Sequence, residues 1–577
     1  MQNRNTASKV TSLIPKYLLI AFLVWFALAF LIYPVYTIIS SSFFQEGTFT
    51  LSAIEKVLKS DRALFAIRNS VLTSLVITVT ATIVGVLQVL ITDYFDIKGS
   101  KVLRLAYMTP LVFGGLVLNN GYLFVYGPNG IVTQALLAIF PNMDPNWFVG
   151  APAVFFVMTF GTTHTFMIFF RNAIRGLDNN LIDAAKNLGS GTFEILAKIV
   201  LPSLKPTLFT LIIMTFATGL NAFSAPLMVG GQKFQTIAPL ILTFSARPNS
   251  RDIAALLSVL LGLSQMILLG ILTWNESRGN YMSVSKSKSV LVKQKITHPV
   301  ARTMVYGVAL ILFVIHATPA VMIVMSSFMT TQAISRNQFG LDAFTLDHYQ
   351  HVLTNARNLA PLLRSLLFSG IAAISAVILL LVVVRLVMNK KEHRLVRLLE
   401  YPFYIPWLVP SILLALGFIL AYDRPHGLLF GNSVIGKQWI LPLAYMIVVF
   451  PTTIRYLKAA YYNFDQGLED ASRNLGAGSL RTFIQIILPA LMPTVLALVA
   501  LNFNSNLAEY NMSAFLYPPG RETMGIIIQT NSSAQATVDA KAINMVYSVI
   551  LMVISSLIIY FVYGRGDKMT RRQAGLE

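Results

Sequence analysis

Twelve runs of apolar residues, separated by polar gaps, are spread along this 577-residue chain. They lie near 17–39, 69–92, 104–126, 151–171, 206–228, 253–275, 303–327, 365–388, 398–422, 439–458, 493–515 and 542–564. Crossing hydrocarbon takes roughly 20 apolar residues. Backbone polar groups in lipid have to be satisfied within their own segment, so each run is predicted to be a helix. The runs at 206–228 and 493–515 differ from the others in having polar ends. The first run, Tyr17 to Ile39, has no charge and no convincing small-x-small cleavage site. It exceeds the roughly 7–15 apolar residues of a signal peptide and reads as an uncleaved first span.

The pattern repeats. Pro34 with Ser41-Ser42-Phe43 matches Pro319 with Ser326-Ser327-Phe328 at an offset of 285. Pro128 and Gly130 match Pro425 and Gly427 at an offset of 297, and Lys205-Pro206-Thr207 matches Met492-Pro493-Thr494 at 287. The offset shifts only where external loops differ in length. The expected fold is therefore an all-α membrane protein of about 12 transmembrane helices in two pseudo-symmetric six-helix halves. The halves are expected at 1–280 and 303–577, joined by a basic linker over 281–302.

Composition agrees: 55% of residues are hydrophobic and only 12% charged, against roughly 25% charged in soluble domains. The net charge of +20 does not suggest nucleic acid. The basic residues form short clusters beside apolar runs, as cytoplasmic anchors do. Lys9 and Lys16 precede the first span. Arg278, Lys286, Lys288, Lys293, Lys295 and Arg302 face a single Glu276 in the central gap. Lys390, Lys391, Arg394 and Arg397 fill the 389–397 turn, and Arg565, Lys568, Arg571 and Arg572 follow the last span. Twelve crossings put all of these on one side, with both termini cytoplasmic. The chain has no cysteine, which excludes disulfides and thiolate chemistry.

Two polar gaps on that same side carry one motif. Asp183-Ala184-Ala185-Lys186-Asn187-Leu188-Gly189 is followed, nine residues on, by Ile199-Val200-Leu201-Pro202. Asp470-Ala471-Ser472-Arg473-Asn474-Leu475-Gly476 is followed, again nine residues on, by Ile486-Ile487-Leu488-Pro489. Small residues at Ala184, Ala185, Ala471 and Ser472 permit close approach of a partner surface. Gly189 and Gly476 suit a sharp turn after a short helix. Pro202 and Pro489 are tolerated at a helix start.

This motif resembles the EAA loop of ATP-binding-cassette (ABC) importer permeases, with Asp in place of the commoner Glu. The resemblance covers nearly the whole chain and implies a fused double permease of the type I importers. It points to the branch that includes ferric iron, thiamine, phosphonate and polyamine systems, and Ser224-Ala225-Pro226-Leu227-Met228-Val229-Gly230-Gly231 with Thr236-Ile237 is similar to that branch too. It further implies loops at 183–202 and 470–489 that dock on two copies of a separate ATPase subunit at the cytoplasmic face. A substrate-binding protein is expected outside, and a bacterial cell membrane as location. The chain would bind no cofactor itself and ATP-Mg would be used by the partner. Ferric iron leads among the cargoes, with thiamine or a related vitamin, a phosphonate and a polyamine as alternatives. An ion-coupled secondary transporter is the alternative of another class. It needs an intramembrane relay of acids, and only Glu509 offers itself here.

The remaining candidates are scattered. Asn502, Asn504, Asn506, Glu509 and Tyr510 crowd the eleventh run, while its counterpart keeps only Asn221 as a large polar group. Buried polar groups at membrane depth face a bundle interior or water. Asn221, Asn502, Asn506, Glu509 and Tyr510 are therefore candidates for a path, with Glu509 alternatively a wet residue of the external interface. Asn119-Asn120 either line the path or satisfy a helix break near Gly114-Gly115. His164 and His316 read as packing residues. Gly431-x4-Gly436-Lys437 lacks the Ser or Thr of a phosphate-binding loop, because Gln438 follows. Arg247, Arg251 and Arg521 are candidates for binding-protein docking. No Ser/His/Asp set and no metal-ligand spacing is present, so the chain is expected not to be an enzyme.

Overall fold

The structure, a computed structural model, describes residues 17–45, 47–232, 234–278, 291–336, 341–388, 394–462, 464–533 and 535–564. Both termini, linker residues 281–290, and Lys9, Lys16, Lys286, Lys288, Lys390, Lys391, Arg565, Lys568, Arg571 and Arg572 lie outside the described residues.

Nine helices among the described residues are long and apolar enough to span a membrane, and three bent pairs bring the number to twelve. In chain order, span 1 is Tyr17–Phe43, span 2 Asp61–Tyr94, span 3 Thr109–Ile139 and span 4 Ala151–Arg175. Span 5 is the bent pair Thr192–Ser203 and Lys205–Leu220, and span 6 is Pro248–Asn275. Span 7 is Pro299–Ser327, span 8 Ala356–Met388, and span 9 the pair Val396–Leu408 and Ser411–Tyr422. Span 10 is the pair Ile440–Val448 and Phe450–Tyr462, span 11 is Ser479–Leu507 and span 12 is Val538–Val562. Sheet is limited, among the described residues, to a two-stranded hairpin pairing Phe44–Gln45 with Thr48–Phe49.

Spans 5 and 11 correct the expected boundaries. They cover 192–220 and 479–507, not 206–228 and 493–515. The helix starts at once after extended Gly191 and Gly478, and carries its polar first turns below the apolar run. The apolar residues beyond Leu220 and Leu507 instead turn away into short helices, Ser224–Val229 and Ser513–Leu516. Pro202 and Pro489 stand at the start of the α-helical segments that open at Leu201 and Leu488, within the longer spans. A single wide turn precedes each: Leu201 N–H bonds to Leu196 C=O, and Leu488 N–H to Phe483 C=O, five residues back. The wide turn accommodates a ring that has no N–H to donate.

In each half one span forms the hub. Span 2 packs on spans 4 and 5, and span 8 on spans 10 and 11. The outer spans cross over: span 1 lies on span 9 of the second half, and span 7 on span 3 of the first. A glycine makes room at each crossing. A β-carbon on Gly121 would come within 2.9 Å of Pro319 Cβ, and one on Gly417 within 2.7 Å of Pro34 O. Burial of Trp25 and Tyr107 tips at these crossings is satisfied by carbonyls of the opposite half. Trp25 Nε1 donates to Leu428 O (2.9 Å) and Tyr107 OH to Ala309 O (2.9 Å).

The third span of each half is broken at one place. Gly114 leaves the helix with φ 75° and ψ 157°. In span 9 Val409 is extended before Pro410, and the two pieces meet at 107°. A break near Gly114-Gly115, one of the two readings left open by the sequence, is present.

Candidate functional site

The two motif segments fold alike. Asn179–Asn187 and Gln466–Asn474 are short helices, each started by an aspartate: Asp178 accepts from Asn180 N–H (3.1 Å) and Asp465 from Gly467 N–H (2.8 Å). Each ends in the same left-handed glycine turn. Gly189 (φ 87°) donates to Lys186 O and Ser190 to Ala185 O; Gly476 (φ 84°) donates to Arg473 O and Ala477 to Ser472 O. This pair of bonds is the Schellman stop, in which a residue with a β-carbon pays steric strain.

The faces of these helices divide by burial. Ala185 and Ser472 are buried against their own half, with Ser472 Oγ 3.0 Å from Thr482 Oγ1. Asp183, Ala184, Asp470 and Ala471 are exposed. Asp183 Oδ2 accepts from Asn179 Nδ2 (2.7 Å). Next to them stand exposed apolar residues that the motif reading left out. Leu188 and Leu475 are 87% and 89% exposed, and Leu181 and Leu468, Phe193 and Leu480 are exposed at matching positions. The 287-residue offset pairs all three, and apolar residues repeated in a polar gap were the available signal. Unburied apolar surface of this kind is available for a protein contact.

Beneath the second helix lies an ion cluster that sequence reasoning also missed. Glu469, 8% exposed, accepts from Arg385 at 2.6 and 2.9 Å and from Arg473 at 2.7 Å. The hydrogen-bonded Arg385 guanidinium holds its carboxyl below the usual carboxylate range. The position matching Glu469 in the first half is Ile182, which is buried in the core. There the ionic group sits at the end of span 2, where Asp93 meets Arg104 (3.2 Å), Arg171 (3.0 Å) and Arg175 (2.8 Å).

The path candidates divide as well. Asn502 Nδ2 donates to Thr453 Oγ1 (2.9 Å), and buried Asn506 lies 3.5 Å from Tyr445 O. Asn221 Nδ2 bonds to Ala217 O of its own helix. Glu509 closes a local turn, accepting from Met512 N–H (2.7 Å), Ser513 N–H (3.1 Å) and Ser513 Oγ (2.9 Å). Tyr510 stacks on Phe223 of the first half at 5.3 Å. A cavity of about 250 Å³ lies between the halves, lined by Gly114 and Gly115 at the span 3 break and by Asn504, Ser505 and Ser555. Asn504 Oδ1 is buried there without a partner. Asn119 donates to Ser224 Oγ (3.2 Å), and Asn120 Oδ1 accepts from Ser532 Oγ (2.9 Å). His164 Nδ1 lies 2.8 Å from Gly161 O, and His316 Nε2 lies 2.6 Å from the Gln88 amide across the halves.

Among the external arginines, Arg251 pairs with Asp423 of the other half (3.2 Å). Arg521 lies 3.2 Å from the Gln438 amide, oriented to present its oxygen. Arg247 is exposed.

The family model for the inner membrane component of binding-protein-dependent transport systems matches residues 6–278 and 386–571. The chain belongs to this family. It is 34% identical over 542 residues to the "Probable ABC transporter permease protein y4fN" of Sinorhizobium fredii, covering 93% of this chain and 94% of that one. It is 22% identical over 498 residues to the ferric transport system permease protein FbpB of Actinobacillus pleuropneumoniae, covering 84% and 69%. One chain of a bacterial ABC transporter that imports alginate aligns with 48% of this chain and 99% of its own, at 16% identity and a TM-score of 0.39. The protein is thus a multi-pass ABC importer permease of the binding-protein-dependent class, and the twelve-span repeat is that of two permease units in one chain.

Proposed function

We propose that this permease carries ferric iron inward by alternating access, driven by two copies of a separate ATPase subunit. The observation that carries the coupling reading is the duplicate helix 179–187 and 466–474, with the same glycine stop and the same exposed leucines. Each helix would seat in one ATPase subunit. ATP-driven closure of the pair would push both helices, and the halves, crossed through spans 1 and 7, would rock about the inter-half cavity. Coupling of this kind needs an element that both partners bias. The rigid helix-and-glycine unit supplies it.

In this reading the termini and both coupling helices are cytoplasmic. The loaded binding protein docks on the opposite face, near Arg247, Arg251 and Arg521. Cargo passes between Asn504, Ser505 and the opened backbone at Gly114, with Asn221, Asn502, Asn506 and Tyr510 shaping the walls. Glu509 contributes by holding the turn before Ser513–Leu516. Likeness over most of the chain to a permease named for ferric transport supports iron. The test is calorimetry on the binding protein that partners this permease, titrated with Fe³⁺, thiamine, 2-aminoethylphosphonate and spermidine. Tight binding of Fe³⁺ alone is expected. Tight binding of an organic ligand instead would discard iron and leave the permease assignment standing.

A further inference from the structure

The segment that joins the halves does more than connect them. Its last described stretch, 291–297, lies against the first half. Gln294 N–H donates to Tyr94 O (2.8 Å), and Asp96 N–H donates to Gln294 O (2.9 Å), a one-residue parallel bridge to the chain leaving span 2. Lys293 Nζ donates to Thr92 O (2.7 Å) and Ser100 Oγ (2.9 Å). Thr192 Oγ1, at the first turn of span 5, donates to Lys295 O (3.2 Å). Leu291 and Ile296 pack on the first half's core, and Gln294 is buried. Val292 N–H donates to Asn179 Oδ1 (3.0 Å), and Asn179 Nδ2 donates to Asp183 of the motif.

These bonds reach three elements at the first coupling helix: the end of span 2, the helix's own first residue, and the start of span 5. A loose linker would have no reason to bury a glutamine and to direct backbone N–H and C=O groups to three elements, because ordering each residue costs about 1–2 kcal/mol. We propose that residues 291–297 are a strap that positions the first coupling helix, with Asn179 and Gln294 as positioning residues for energy coupling. This rests on the coupling-helix reading above. The second helix is held differently, by Glu469 and Arg385.

The test uses the full chain reconstituted with its ATPase and binding protein in vesicles. Asn179→Ala removes the bond to Val292, and Gln294→Pro removes the donor to Tyr94. Lys295→Ala, whose side chain is exposed, is the control. Uptake per ATP hydrolysed is expected to fall roughly fivefold or more in both variants, with melting temperature retained. Amide exchange should quicken over 179–187 but not over 466–474. Normal uptake per ATP in both variants, beside an uncoupled Gly476→Glu protein, would overturn the strap while sparing the coupling helices. Fully coupled transport by Gly476→Glu would bring down the coupling-helix reading and the strap with it.

Discussion

The two proposed coupling helices share a backbone and differ in what holds them. The first rests on apolar Ile182 and on hydrogen bonds from a segment that threads past it. The second rests on a buried carboxylate shared by two arginines, Arg385 from span 8 and Arg473 from its own last turn. What is repeated is the surface a partner would meet: the glycine stop and the exposed leucines. What has diverged is the foundation, which only the permease itself touches. A duplicated chain can vary its interior supports freely as long as the presented helix keeps its position. The two halves place their ionic groups differently, Asp93 with three arginines at the end of span 2 in the first and Glu469 directly beneath the helix in the second, so the two helices should respond unequally to conditions that leave their surfaces alike.

Replacing the glycines tests the shared part and should give the largest effect. Gly189→Glu and Gly476→Glu each place a β-carbon at positive φ, at about 1–2 kcal/mol of strain. Both proteins should insert normally and hydrolyse ATP, yet lose uptake in vesicles; retained uptake in both would end the claim that these helices couple hydrolysis to transport, and loss in only one would end the claim that they are equivalent. Removing the ionic support should come next. Arg385→Leu leaves Glu469 buried with one partner fewer, at a cost of about 3–5 kcal/mol. Melting curves should show that loss, and Arg385→Leu/Glu469→Leu should recover most of it. If Ile182→Glu were tolerated as well as wild type, the two foundations would not differ as described.

The crossings between halves offer a symmetric comparison of intermediate size. Gly121→Val and Gly417→Val overfill matched contacts with Pro319 and Pro34, and each should cost about 1–3 kcal/mol by thermal unfolding. A smaller effect follows from pH. The Glu469 carboxyl titrates below its ordinary range because of Arg385. Its stabilisation is thus complete above the unfolded carboxylate value and is lost as pH falls through the depressed one. Amide exchange over 466–474 should quicken at acid pH before that over 179–187. Equal quickening would sink the distinction. The smallest effect on stability should come from Leu188→Ser and Leu475→Ser, within about 0.5 kcal/mol, while copurification of the ATPase subunit weakens for both.

Much of this was legible in the chain before any coordinates. The apolar runs counted out twelve spans, because crossing a bilayer needs a length that sequence displays directly. The Asp-to-Gly motif and the 287-residue offset marked both short helices and their glycine stops, because helix, cap and turn are local. The break at Gly114 was one of two readings the paired glycines and asparagines left open, and the structure has it. Residue patterns failed where a property depends on a distant neighbour. The starts of spans 5 and 11 were set late because polar first turns look like loop until their continuation is seen. Glu469 was passed over for its neighbour Asp470, since the arginine that decides between them lies 84 positions away. The crossing of spans 1 and 7, the cavity between the halves and the docking of 291–297 were likewise decided by packing. Helix length, caps and turns are written in contiguous residues, but which buried group meets which partner depends on how the helices come together.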